Sequence, residues 1–133
     1  MSDPVPAVIF FDLGDTLTDS QGKRYEDALD TLQILYERGY RLGLISNQPS
    51  GTTVGQVSAT LTSLALNKYI EEALITISTE IPGNVGKPAK PIFDLALQKA
   101  QHFAPSAQSI FITETAGHIQ AARGFGWRAI LKR

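Results

Sequence analysis

The sequence predicts an α/β fold, in which a five-stranded parallel sheet lies between two layers of helices. Five short apolar segments, rich in β-branched and aromatic residues, are typical of strands that are buried on both faces. Four segments with apolar residues at helical spacing separate these strands. Because each strand is followed by a helix, right-handed crossovers return the chain to the same sheet and the strands run parallel.

The first strand and the first helix carry the clearest signals. The strand spans about Ala7 to Asp12 and contains the run Val-Ile-Phe-Phe, which ends at the Asp12 carboxylate. The helix has apolar residues at helical spacing from Tyr25 onward and ends at Gly39, a residue type that terminates helices. A carboxylate is therefore expected at the carboxyl end of a buried strand, where open α/β sheets bind ligands.

The later elements continue the same alternation. A long loop with several Pro and Gly residues precedes the third helix, for which Pro91 is a favourable first residue. The expected elements after Gly39 are strands at 40–45, 74–77, 109–113 and 128–131, and helices at 54–64, 91–103 and 119–123.

The composition is that of an ordinary globular protein and excludes several classes of function. Of the 133 residues, 43% are hydrophobic and 19% are charged, which predicts one domain over residues 1–133. The formal net charge of -1 and the pI near 6.1 provide no basic field for a nucleic-acid partner. Cysteine is absent, which excludes disulfides, thiolate zinc sites and cysteine nucleophiles.

The sequence shows no signal for membrane insertion or export. No apolar run approaches the roughly 20 residues that span a bilayer. The N-terminal residues lack the basic and apolar regions of a signal peptide. We therefore expect a cytoplasmic protein without a membrane partner.

Polar side chains stand where several of the predicted strands end. They are Asp12 and Asp15 after the first strand, Ser46 and Asn47 after the second, Lys87 in the long loop, and Thr113, Glu114 and Thr115 after the fourth. Because the carboxyl ends of parallel strands meet at one edge of a sheet, we expect these side chains in one crevice. A carboxylate nucleophile, a cation for phosphate oxygens and acidic ligands for a hard divalent metal suit phosphoryl transfer.

On these residues the chain resembles the haloacid dehalogenase-like (HAD) superfamily over nearly its whole length. The family's DxDxT motif stands here as Asp-Leu-Gly-Asp-Thr at 12–16, its strand-ending Ser or Thr as Ser46, and its lysine motif as Lys87 followed by Pro88. Its fourth motif, GDxxxDIxAAxxAGW, corresponds to TETAGHIQAARGFGW at 113–127. The resemblance implies a three-layer Rossmann-like fold of the HAD type, and the short connection after the first strand implies no cap domain.

The resemblance also implies a phosphatase that works through an aspartyl-phosphate on Asp12. Lys87 would neutralise charge on Asp12 and on the phosphate, and Ser46 would hydrogen-bond a phosphoryl oxygen. Mg²⁺, or Mn²⁺ or another divalent metal, would be held by Asp12, the backbone carbonyl of Gly14 and Glu114. The residues implied to contact the phosphorylated substrate are Thr16, Ser46, Asn47 and Lys87. Since capless relatives take bulky substrates or use a neighbouring subunit as a lid, a homo-oligomer is a further expectation.

Three positions depart from the family pattern. Gly14 stands where relatives usually carry the general acid; Asp15, one residue later, is either its catalytic substitute or a turn-forming residue. Glu114 replaces an Asp, and its longer arm fits octahedral Mg²⁺ less easily. His118 replaces the second acid and is either a ligand for a transition metal or, as we favour, a solvent-facing residue of a helix N-terminus. These changes predict weak metal binding and low activity.

Purely structural roles stay open for the remaining site residues. Asp12 and Ser46 could cap turns, and Lys87 could be a solvated loop lysine, with Lys90 as a rival for its role. A second class of function is a binding or regulatory module that keeps the fold and has little catalysis. A receiver domain fits less well, because its phosphorylated Asp follows a later strand than the first.

Overall fold

The computed structural model describes residues 6–14, 16–19 and 21–132, and within these residues it has one sheet of five parallel strands. The strands are β1 (Ala7–Phe11), β2 (Arg41–Ser46), β3 (Ile70–Ile77), β4 (Gln108–Thr113) and β5 (Arg128–Leu131). The helices are α1 (Glu26–Glu37), α2 (Val54–Ser63), α3 (Lys90–Phe103) and α4 (Ala116–Gly124), with a 3₁₀ turn at Ser78–Glu80. The predicted fold class is confirmed.

The order of the strands places β1 at the centre of the sheet. The order is β3-β2-β1-β4-β5, so that β2 pairs with one side of β1 and β4 with the other. The backbone N–H of Asp12 still donates to the carbonyl oxygen of Ile112 at 3.1 Å, just beyond the end of β1. The strand order reverses between β1 and β4, and this is where sheets of this kind bind ligands.

Each face of the sheet is covered by its own hydrophobic core. Because side chains alternate along a strand, Ile9 and Phe11 enter one core while Val8 and Phe10 enter the other. Residues of α1 and α2 complete the first core, and residues of α3 and α4 complete the second. In the second core the Phe10 ring meets Trp127 edge-on, with ring centroids 5.6 Å apart.

Local signals explain several of the helix ends. The Thr53 hydroxyl accepts a hydrogen bond of 3.1 Å from the backbone N–H of Gln56, and the Gln56 side chain accepts one of 3.0 Å from the N–H of Thr53, so a capping box begins α2. After α1, Gly39 adopts a φ of 95°, a left-handed conformation that favours glycine. Helix α3 begins one residue before Pro91, and α4 begins at Ala116, earlier than the predicted 119.

The largest correction to the predicted elements concerns β3. This strand begins at Ile70, before the predicted start at 74, and its pairing with β2 is irregular between Leu42 and Leu44. The early part contains Glu71 and Glu72, which are not fully buried on this edge strand and so interrupt the apolar signal. Within the described part of the chain, no helix combines the length and the apolar character needed to cross a membrane.

Candidate active site

Asp12 and Lys87 form a buried ion pair at the carboxyl edge of the sheet. The Lys87 ammonium nitrogen lies 2.5 Å from Oδ1 of Asp12 and donates a second hydrogen bond, of 2.7 Å, to the carbonyl oxygen of Ile45. The Lys87 side chain is 1% exposed and that of Asp12 is 13% exposed. Lys90, the rival lysine, instead pairs with Asp94 on the exposed surface of α3. The fold thus brings the expected nucleophile and the expected cation into direct contact.

Burial is the main influence on the charge of Lys87. Removal of water from the ammonium group lowers its pKa from the ordinary value of 10.5, and the nearby Asp12 carboxylate opposes this by attraction and by a hydrogen bond. The ring of Phe111, whose centroid is 5.2 Å from Nζ, adds a cation–π contact. Since either charge alone would be costly at this depth, the two groups depend on each other.

Thr113 holds the second oxygen of the Asp12 carboxylate. Its hydroxyl donates a hydrogen bond of 3.0 Å to Oδ2 and accepts one of 3.2 Å from the backbone N–H of Thr115. Thr113 is fully buried at the end of β4, the strand next to β1. The sequence pattern predicts this hydroxyl at the sheet edge and gives no sign of its contact with Asp12. Each Asp12 oxygen therefore has its own donor, which fixes the orientation of the carboxylate.

Ser46 ends β2 and is buried beneath the loop that follows it. Its Oγ accepts a hydrogen bond of 2.8 Å from Nε2 of Gln48 and lies 3.5 Å from the carbonyl oxygen of Asn47. The second distance is too long for a strong O–H···O bond, so the hydroxyl proton of Ser46 has no strong acceptor in these contacts. This arrangement is compatible with donation to an external oxygen atom.

His118 lies beside Asp12, which corrects the solvent-facing position that we favoured. Its Nδ1 is 3.8 Å from Oδ2 of Asp12 and is buried without a hydrogen-bond partner among the described residues. Burial lowers the pKa of the imidazole below 6.5, the positive charge of Lys87 lowers it further, and the Asp12 charge opposes both effects. The imidazole is therefore mainly neutral at pH 7.

The other two predicted metal ligands, Gly14 and Glu114, are both exposed. Glu114 is exposed between β4 and α4, and Gly14 is exposed in the turn after β1. No group of three His, Cys, Asp or Glu side chains within 6–14, 16–19 and 21–132 could hold a metal ion; Asp15 lies outside these residues. Mg²⁺ often uses only one or two carboxylates and completes its shell with water and substrate phosphate.

The connection between β1 and α1 is held by two β-bridges within it and by a hydrogen bond from Lys132 near the other end of the chain. Thr18 forms β-bridges with Gly14 and with Arg24, and Nζ of Lys132 donates a hydrogen bond of 2.6 Å to the carbonyl oxygen of Thr16. Thr16 is 2% exposed, and its hydroxyl has no hydrogen-bond partner in the described part of the chain. The described part of this connection contains no inserted domain.

Comparison with known proteins places this site on a fold that has been observed before. Neither a protein-family model nor a curated protein sequence matches the chain. Among solved structures, an uncharacterized protein from Listeria monocytogenes serotype 4b is 21% identical, with a TM-score of 0.74 over 96% of this chain and 78% of that chain. An uncharacterized protein from Corynebacterium glutamicum is 15% identical, with a TM-score of 0.64 over 95% of this chain and 84% of that chain.

A third solved structure is a HAD-superfamily hydrolase from Ehrlichia chaffeensis. It is 16% identical, with a TM-score of 0.72 over 98% of this chain and 89% of that chain. The TM-score establishes a shared fold, whereas sequence identity at this level carries no residue-level assignment. The chain therefore has a Rossmann-like α/β fold of the HAD type.

Proposed function

We propose that the chain is a phosphohydrolase that moves a phosphoryl group from a phosphomonoester to Asp12 and then to water. The observation that carries this proposal is the buried pair of Asp12 and Lys87 at the switch point of the sheet. Thr113 orients the same carboxylate through its second oxygen. The similarity in fold to a HAD-superfamily hydrolase supports the proposal.

The proposed reaction has two displacement steps at phosphorus. In the first, an Asp12 oxygen attacks phosphorus, the bond to the alcohol oxygen breaks, and that oxygen takes up a proton. In the second, water attacks the same phosphorus, the bond to Asp12 breaks, and inorganic phosphate leaves. Lys87 compensates negative charge in both steps, and the Ser46 hydroxyl donates to a phosphoryl oxygen.

We also propose that a divalent cation binds here, with Asp12, the Gly14 carbonyl and Glu114 as its ligands. When bound, such an ion compensates charge on the phosphoryl oxygens. Gly14 has no side chain to protonate the leaving group, and Asp15 is the proposed general acid. Thr16 and Asn47 are the other predicted substrate contacts, and the Asn47 amide is hydrogen-bonded to the backbone of Lys87.

The test is hydrolysis of a generic aryl phosphate with Mg²⁺, Mn²⁺ or Co²⁺. We expect measurable turnover by the wild type and background turnover by Asp12→Asn, because the amide cannot act as the nucleophile. Asp94→Asn is the matched control, since it makes the same change in an exposed ion pair on α3. Equal turnover by wild type and Asp12→Asn would show that Asp12 is not the nucleophile.

The second candidate is a binding or regulatory module with the same fold. The exposed position of Glu114 and the absence of a three-ligand cluster among the described residues favour it. This candidate predicts no turnover by the folded protein with any of the three metals, whereas a competent hydrolase site should also gain melting temperature when Mg²⁺ and a phosphate mimic are added. Turnover that depends on Asp12 would exclude it.

A further inference from the structure

The side chain of Asn47 holds the backbone of Lys87 with two hydrogen bonds. Oδ1 of Asn47 accepts from the Lys87 N–H at 2.7 Å, and Nδ2 donates to the Lys87 carbonyl oxygen at 3.0 Å. Only one orientation of the amide satisfies both bonds, because the N–H must meet an oxygen and the C=O must meet an NH₂ group. We call this pair of hydrogen bonds the Asn47 clamp.

The Asn47 clamp accounts for a glycine at position 86. A Cβ atom at Gly86 would overlap with the Oδ1 and Cγ atoms of Asn47. Gly86 is not among the residues with positive φ, so its backbone conformation does not itself require glycine. Close approach of the Asn47 amide is therefore the physical reason that a side chain does not fit at this position.

The clamp acts on the residue whose ammonium group reaches Asp12. Other hydrogen bonds join the same two loops without touching Lys87: Ser78 exchanges two with the backbone of Gln48, and Asn84 donates one of 3.1 Å to the Gln48 carbonyl oxygen. These bonds hold the start and the middle of the long loop. The Asn47 clamp holds its end, at Lys87 itself.

We infer that Asn47 is a positioning residue that acts through Lys87, and not a substrate-binding residue. This inference rests on the proposed function, since it assigns Asn47 to the charge compensation that Lys87 provides. A lysine side chain is long and flexible, and its ammonium group reaches Asp12 and the Ile45 carbonyl only from a defined backbone position. Release of the Lys87 backbone would move the ammonium group away from both acceptors.

The kinetic test is a double-mutant cycle. In the wild-type background, Asn47→Ala lowers kcat by about 10-fold to 100-fold, because misplacement of a catalytic group by about 1 Å has effects of this size. In the Lys87→Met background the same substitution changes kcat by less than about twofold, because the group through which it acts is gone. Gly86→Ala, which displaces the Asn47 side chain, shows the same dependence on Lys87.

Asn84→Gly is the matched control for this cycle, because Asn84 has a φ of 55°, which glycine adopts without strain. It removes one amide-to-backbone hydrogen bond between the same two loops without touching Lys87, and it keeps kcat within about twofold of wild type. An Asn47→Ala loss of kcat/KM that is equally large in the Lys87→Met background would overturn the inference and make Asn47 a direct substrate contact.

A second measurement tests the clamp without enzymatic activity. The ¹³Cγ chemical shift of Asp12 reports the ammonium group beside its carboxylate. We expect Asn47→Ala and Gly86→Ala to move this shift toward the value of Lys87→Met, and Asn84→Gly to leave it unchanged. An unchanged shift in Asn47→Ala would overturn the inference even in an active enzyme.

A wild type without phosphatase activity would overturn the proposed function, while this shift would still decide whether the clamp positions Lys87.

Discussion

The ammonium group of Lys87 has the Asp12 carboxylate as its counter-charge at 2.5 Å, and the Lys87 side chain is almost fully withdrawn from water. Two opposite charges that are both buried compensate each other, and removal of one leaves the other without compensation. The pair therefore links the proposed chemistry to the stability of the protein.

The first prediction concerns this dependence. Asp12→Asn keeps the size of the side chain and removes its charge, so we expect the free energy of unfolding to fall by about 3 kcal/mol, the lower end of the range for a broken buried pair. Asp12 is partly exposed and the Ile45 carbonyl still accepts from Lys87, which places the effect at that end. Urea denaturation measures the change.

Asp94→Asn is the control for this measurement. Both side chains of the Lys90–Asp94 pair are more than half exposed, so the change in unfolding free energy is expected to stay within about 0.5 kcal/mol. An Asp12→Asn protein that is as stable as the wild type would contradict the view that Lys87 depends on Asp12 for its burial.

The second prediction compares two buried threonines. Thr113→Val removes the donor to Oδ2 of Asp12, and we expect a loss of about 1–2 kcal/mol in unfolding free energy, together with a lower kcat. Thr76→Val removes a fully buried hydroxyl that has no hydrogen-bond partner among the described residues, so stability should stay the same or increase. Thermal unfolding of the two variants measures the difference. Equal losses would show that the hydrogen bond to Asp12 contributes nothing.

The third prediction concerns His118 and the metal. His118→Asp places a second carboxylate beside Asp12, where the imidazole nitrogen now lies 3.8 Å from Oδ2. Carboxylates suit Mg²⁺ better than imidazole does, so addition of Mg²⁺ should raise the melting temperature of this variant more than that of the wild type. His102→Asp, an exposed change near the end of α3, should respond to Mg²⁺ as the wild type does. Identical Mg²⁺ responses of all three proteins would argue against a cation site at Asp12.

The fourth prediction tests Asp15 as the general acid. Asp15→Asn should lower kcat for an alkyl phosphate by about 10²–10⁴-fold, because an alkoxide needs a proton in order to leave. The effect on an aryl phosphate should be much smaller, because a phenolate leaves without one. Steady-state rates with both substrates measure the difference. A uniform loss with both substrates would assign Asp15 a structural role in the turn.

The class of the fold and the sheet edge that carries the candidate site follow from the amino-acid sequence alone. Apolar periodicity predicts the alternation of strands and helices, because burial repeats with the geometry of each element. Polar residues at strand ends point to one edge, because parallel strands share a direction. The sequence pattern therefore predicts Asp12 and Lys87 as site residues. It does not predict the early start of β3, because Glu71 and Glu72 lie at a partly exposed sheet edge.

The contact partners of these residues depend on how the elements pack in three dimensions. The order of the strands places β4 beside β1, and this neighbourhood brings the Thr113 hydroxyl to Asp12. The packing of α4 turns His118 toward Asp12, and the approach of two loops joins Asn47 to the Lys87 backbone. Such contacts depend on residues far apart in the chain and on the direction of each side chain, and the local periodicity of a sequence encodes neither.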